Sequence, residues 1–126
     1  MDHGTLKHIS YEIIGCAYKV HSALGPGVLE SAYEVCMAHE LVKCGYTVQR
    51  QVMIPLEYDG VQLESGFRLD LLVADEIIVE LKAVDRILPV HQAQIITYLK
   101  LMKKHVGLLL NFHEARMREG IHRFVI

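Results

Sequence analysis

The sequence predicts an α/β (α+β) fold, a mixed central sheet flanked by helices, in the order α-α-β-β-β-α-β-β. Three observations predict it. Apolar residues recur at helical spacing as far as Gly45, where the pattern changes period. Asp59-Gly60 and Ala74-Asp75 then punctuate the strand-like stretch as turns. Pro89 opens another helical stretch, which leads into the apolar run Val106 to Phe112.

In order along the chain, Leu6, Ile9, Ile13, Ala17 and Val20 place a helix over Leu6 to Leu24, stopped by Gly25-Pro26-Gly27. A second helix runs from about Leu29 to Lys43 on Leu29, Ala32, Tyr33, Cys36 and Leu41, with Gly45 as its stop. Tyr46 to Tyr58, carrying Val48, Val52, Ile54 and Leu56, reads as a strand bent at Pro55. Val61 to Val73 is its return strand, with a bulge or break at Ser65-Gly66. Glu76 to Ala83 is the third strand, and Val90 to about Lys104 the third helix. Val106 to Phe112 is a buried strand, and Gly120 to Ile126 one more. With no repeat, low-complexity segment or linker, residues 1–126 read as a single domain.

Composition narrows the class. Of 126 residues, 52% are hydrophobic, enough for a packed core and against disorder. No apolar run approaches the roughly 18 residues that span a bilayer, and Met1-Asp2-His3-Gly4 lacks a leader's basic and apolar regions. A cytoplasmic protein without membrane association is expected. Cys16, Cys36 and Cys44 are odd in number and lack Cys-x-x-Cys spacing, which favours reduced thiols. Histidines form neither His-x-His nor His-Glu-x-x-His, and Cys36 with His39 has no second ligand pair, so structural zinc is not expected. Phosphate-loop signatures and serine nucleophile elbows are absent. The net charge of −2 argues against strong nonspecific nucleic-acid binding. It leaves room for local basic patches, Lys100, Lys103, Lys104 and His105 in one and Arg116, Arg118 and Arg123 in another. The lysines equally suit a solvated helix end.

Against that background three charges stand out. Asp70 lies inside Phe67 to Val73, and Glu80 and Lys82 inside Glu76 to Lys82. A buried charge is costly unless it is paired or coordinates a metal. Strand alternation points Glu80 and Lys82 the same way, and pairing with the preceding strand can bring Asp70 beside them. Two carboxylates and an amine at one sheet surface are the parts of a Mg²⁺ phosphodiester-cleaving site. Glu30 and Tyr33 are neighbours on one helical face, as are Gln94 and Tyr98. Tyr33 suits a packed aromatic with a bonded hydroxyl better than a catalyst, and His91 an exposed surface position better than a phosphate contact.

Asp70 followed by Glu80-Leu81-Lys82 resembles the core of the PD-(D/E)XK nuclease superfamily. Gly27-x-x-Glu30-x-x-Tyr33 is similar to the signature of its small GxxExxY family, and Gln94-Ile95-Ile96-Thr97-Tyr98 resembles the Gln-x-x-x-Tyr element of RecB-like members. The motifs keep the family's order from Gly27 to Tyr98. Leu69 stands where the superfamily's name has Pro.

The resemblance implies a restriction-endonuclease-like fold and a site for Mg²⁺ or Mn²⁺. Asp70 and Glu80 would be metal ligands, with the Leu81 carbonyl adding an oxygen. Glu30 would join from its helix, directly or through water. Lys82 would orient or activate the attacking water. Gln94 and Tyr98 would position substrate or organise the site. The expected activity is metal-dependent hydrolysis of phosphodiester bonds in nucleic acid, DNA ahead of RNA, with a homodimer or a larger assembly left open. The alternative is a catalytically weak or inactive nuclease-fold module that binds nucleic acid or a protein partner.

Overall fold

A computed structural model describes residues 1–63 and 67–126. The first helix, α1 (His3–Leu24), starts at Asp2, whose carboxylate accepts the Thr5 N–H at 2.8 Å and so caps an otherwise free donor. The Gly25-Pro26-Gly27 stop holds, with Gly25 at φ 72°. The second helix, α2 (Glu30–Lys43), ends before Gly45, at φ 93°. Leu6, Ile9, Ile13, Ala17 and Val20 of α1 are buried together with Tyr33, Met37 and Leu41 of α2. Their helical spacing marks the core-facing sides.

The strands are more numerous than the sequence suggested. Tyr46 to Tyr58 is not one strand but β1 (Val48–Met53) and β2 (Leu56–Tyr58), separated at Pro55, which has no N–H for a ladder. Val61 to Val73 likewise divides into β3 (Val61–Leu63) and β4 (Arg68–Val73). The suggested bulge at Ser65-Gly66 lies outside the described residues. β2 and β3 pair with each other across Asp59-Gly60 as a separate two-stranded sheet, while β1 and β4 pair in the main one. The hairpin signal was therefore right, but it joins two short strands rather than two long ones.

The remaining elements are β5 (Ile77–Lys82), α3 (Pro89–Met102), β6 (Val106–Asn111), a 3₁₀ turn (Met117–Gly120) and β7 (Ile121–Val125). The main sheet is ordered β1-β4-β5-β6-β7, parallel between β5 and β6 and antiparallel elsewhere. A parallel pair needs a crossover, and α3 supplies it. The central strands separate two apolar layers. Leu71, Val79, Leu81 and Leu108 pack with α1 and α2, and Leu72, Ile78 and Leu109 pack with Ile95, Tyr98 and Leu99 of α3. Burial of each such Leu or Val contributes about 1.5–3 kcal/mol. Because both faces are covered, β4, β5 and β6 read as continuous apolar runs instead of alternating ones.

The β4–β5 turn fixes the register that matters. Ala74 and Asp75 both have positive φ, 54° and 56°, the pair of left-handed residues a tight hairpin requires. It sets Val73 opposite Ile77 and Leu71 opposite Val79. Asp70 and Glu80 are the next residues along, at the end of the sheet away from the turn. No helix among the described residues is long and apolar enough to cross a membrane.

Candidate active site

The β4–β5 ladder stops at Leu71 and Val79, and the Asp70 side chain takes over from it. Asp70 Oδ2 accepts the Leu81 N–H at 2.8 Å, a donor that would otherwise bond the backbone of β4. Lys82 O accepts from Phe112 N at 2.8 Å on the other side. Peptide groups alternate along a strand, so those of Leu81 face the β4 side, where Asp70 lies. The Leu81 carbonyl therefore points toward the same edge as Asp70.

Glu80 lies beside Asp70 and is only 5% exposed. Its Oε1 is the buried side-chain atom that lacks a hydrogen-bond partner among the described residues. Burial, and then the Asp70 carboxylate, push the Glu80 carboxyl up to about 10, with Lys82 opposing the shift. No salt bridge among the described residues reaches Asp70 or Glu80. Two adjoining carboxylates with an orphaned buried oxygen and no cationic partner are a donor set suited to a hard divalent cation. The described residues contain no group of three His, Cys, Asp or Glu side chains arranged around one metal position.

Lys82 is half-buried at the end of β5, on the α3 side of the sheet with Ile78 and Glu80 by strand alternation. Tyr98 faces this side too. Its hydroxyl is held above the usual tyrosine range by burial first and then by the charges of Glu80 and Asp70, while a hydrogen bond with Gln94 acts the other way. Tyr98 therefore lies near the carboxylates, and Gln94, which is exposed, sits one turn before it on α3. His91 does something else: its Nδ1 accepts the Leu88 N–H at 3.0 Å and caps α3.

Glu30 approaches from the opposite face. With Ser31, Glu34, Gln51, Asp70 and Leu81 it lines a cavity of about 350 Å³, and the neighbouring cavity of about 540 Å³ shares Glu30 and Ser31 and extends to Ala83 and His113. Glu30 is exposed and borders the site without joining a three-ligand group. Tyr33 is fully buried and stacks on Phe112 with ring centroids 4.4 Å apart. Its hydroxyl donates to Gly25 O and accepts from Val28 N, tying down the loop that leads to Glu30.

Sequence reasoning missed Glu34, Arg50, Gln51 and Asn111. Glu34, 7% exposed, accepts Arg50 Nε and Nη2, each at 3.0 Å, and also Gln51 Nε2. Its one sequence signal is the spacing of four from Glu30, which puts both on one face of α2. Asn111 is fully buried opposite Lys82; its side chain accepts Val84 N at 3.1 Å and donates to Val84 O at 2.9 Å, pinning the chain just past the lysine. The lysine cluster sits elsewhere. Lys103, Lys104 and His105 precede Val106, which pairs with Ile77, so they lie at the opposite end of the sheet from Asp70. Arg116 and Arg118 precede Ile121, which pairs with Leu110, and so lie at the Lys82 end.

A family model described as PD-(D/E)XK nuclease superfamily matches residues 7–124. No curated protein and no solved structure matches the chain.

Proposed function

The chain belongs to the PD-(D/E)XK nuclease superfamily, and from that premise we propose that it is a metal-dependent nuclease that hydrolyses phosphodiester bonds in nucleic acid, DNA ahead of RNA. The observation that carries the reading is the unpartnered buried oxygen of Glu80 beside the Asp70 carboxylate. Neither carboxylate has a salt-bridge partner among the described residues, and each gains from a bound cation.

Asp70 and Glu80 would hold Mg²⁺ or Mn²⁺, with the Leu81 carbonyl on the same edge and Glu30 across the cavity, directly or through water. When bound, the ion supplies Lewis acidity, polarising a phosphoryl oxygen and acidifying water in the site. Lys82 orients the attacking water and opposes the negative charge that grows on phosphate. Gln94 and Tyr98 line the α3 side and position the substrate strand. Asn111 fixes the chain beyond Lys82, so that the lysine leaves β5 in one direction. Within the superfamily we place the chain with GxxExxY proteins on Gly27, Glu30 and Tyr33, and we take the Gln94/Tyr98 pair as a RecB-like feature. One sheet enclosed by two apolar layers supports a single nuclease-like domain over residues 1–126.

The test is purified protein with Mg²⁺ or Mn²⁺ on single-stranded, duplex and branched DNA and on RNA. Wild type should cleave, and Asp70→Ala and Lys82→Ala should not. No cleavage by wild type on any substrate, or undiminished cleavage by both variants, would sink the reading. One observation favours a second reading, a nuclease-fold module that binds nucleic acid or protein without cutting: the described residues do not assemble three metal-binding side chains. In that case binding would survive EDTA.

A further inference from the structure

Gln51 is the non-glycine residue of β1 held at positive φ, 52°. A left-handed conformation is unfavourable for an L-residue, and glutamine lacks the short side chain that lets Asn or Asp offset it locally. The strain has a visible effect. The β1–β4 ladder runs through Arg50 with Leu71 and resumes at Val52 with Leu69, skipping the position where Gln51 would pair with Asp70. The register is the same on both sides of this gap, so no residue is inserted; the left-handed backbone at Gln51 interrupts the ladder and re-aims its side chain.

The side chain of Gln51 shows where it is aimed. Nε2 donates to Asp70 Oδ1 at 3.3 Å and to Glu34 Oε1. The opposite amide orientation would set a third acceptor oxygen between two carboxylates, so the nitrogen belongs there. Glu34 is anchored by Arg50 through two contacts at 3.0 Å. Asp70 is therefore gripped at both oxygens, Oδ2 by Leu81 N and Oδ1 by Gln51. Unlike an Arg or Lys in the same place, the amide brings no positive charge that would compete with a bound cation.

We propose that Gln51 is a positioning residue that fixes the Asp70 carboxylate for a divalent cation, at the cost of its own backbone strain, with Glu34 and Arg50 as its anchor. The proposal rests on the reading of Asp70 as a metal ligand. Gln51 itself touches neither metal nor substrate. The arrangement separates the two glutamates of α2: Glu34 is neutralised by Arg50 and serves as a support, which leaves Glu30 as the helix carboxylate facing open space.

The experiment is Mn²⁺ titration calorimetry on the full chain, with thermal unfolding of the metal-free protein measured in parallel. Gln51→Gly removes the amide and relieves the left-handed backbone. Its unfolding midpoint should equal or exceed wild type while Mn²⁺ affinity falls about 10- to 100-fold. Gln51→Asn retains an amide and tolerates positive φ, and should recover part of the affinity. A residue with a purely structural role would not separate affinity from stability in this way. Wild-type Mn²⁺ affinity in Gln51→Gly overturns the proposal, as does an affinity loss that only tracks lost stability. If wild type itself binds no Mn²⁺, the metal-site reading fails together with this one. If wild type binds and the variants match it, only the role of Gln51 is removed.

Discussion

Asp70 accepts the main-chain N–H of Leu81 through Oδ2 at 2.8 Å, where a backbone carbonyl of β4 would otherwise continue the ladder. A side chain that substitutes for a strand's backbone lets the strands part at this end while the donor stays satisfied. The same contact holds the carboxylate against Glu80. The resulting repulsion adds to burial in raising Glu80, and several consequences can be measured.

The first is a pH dependence of stability. Below the ordinary value of 4.5, Glu80 is protonated both folded and unfolded, and it adds no penalty. Between 4.5 and about 10 the unfolded chain gives up a proton that the folded chain keeps, so this contribution to stability is lost as pH rises through that window. Near neutral pH the loss is on the order of 3 kcal/mol. Glu80→Gln cannot ionise. In EDTA it should melt higher than wild type at about pH 8 and equally at about pH 4, read by thermal unfolding. A lower midpoint for Glu80→Gln at the alkaline end contradicts this account.

Metal binding should release a proton. A ligand carboxyl that is protonated in the metal-free protein must lose its proton to coordinate. Mn²⁺ affinity should therefore rise about tenfold per pH unit from neutrality toward the raised value. Calorimetry in two buffers of different ionisation enthalpy should report about one proton released per ion bound. Buffer-independent heats would mean that Glu80 is not a ligand.

Lys82 should separate binding from chemistry. It is not one of the oxygen donors, so Lys82→Ala should keep Mn²⁺ affinity within about threefold while cleavage falls about 10²- to 10⁴-fold. Lys82→Arg should rescue little, because a broad planar guanidinium does not replace a compact ammonium beside water. Equal loss of metal binding and cleavage would instead give the lysine a structural part.

The site was legible in sequence where local rules dominate. Asp70 follows Leu71 and Glu80 follows Val79 outward from the turn that Ala74-Asp75 announces, so strand pairing alone brings them together. Gln94 and Tyr98 follow from one helical turn. Gln51, Arg50 and Glu34 were not legible, because their contacts join α2, β1 and β4 with no fixed spacing, and nothing in the letters around Gln51 marks a left-handed residue. The division at Pro55 was half visible: a proline announces a bend, but not that the two halves enter different sheets. The place of the lysine cluster, at the far end of the sheet from Asp70, was not legible, because helix-end composition says nothing about which end of the sheet the helix reaches. His91 went to capping because α3 begins at Pro89 with no Ser, Thr, Asp or Asn before it, and a side chain three residues on met the need.

Tyr33 tests whether its motif is chemical or architectural. The ring is fully buried against Phe112, and the hydroxyl serves both Gly25 O and Val28 N on the loop into α2. Tyr33→Phe keeps the ring and its stacking but leaves a half-buried donor and acceptor without that partner, which should cost about 1 kcal/mol. Urea unfolding should show a lower midpoint with an unchanged slope. Mn²⁺ affinity should hold, since the hydroxyl is committed to the loop rather than to Asp70 or Glu80. Cleavage should stay near wild type at temperatures where the variant is folded. A drop of more than about tenfold in cleavage, with stability intact, would move Tyr33 into the chemistry. The loop it fastens would then matter for where it holds Glu30, beyond what it adds to the fold.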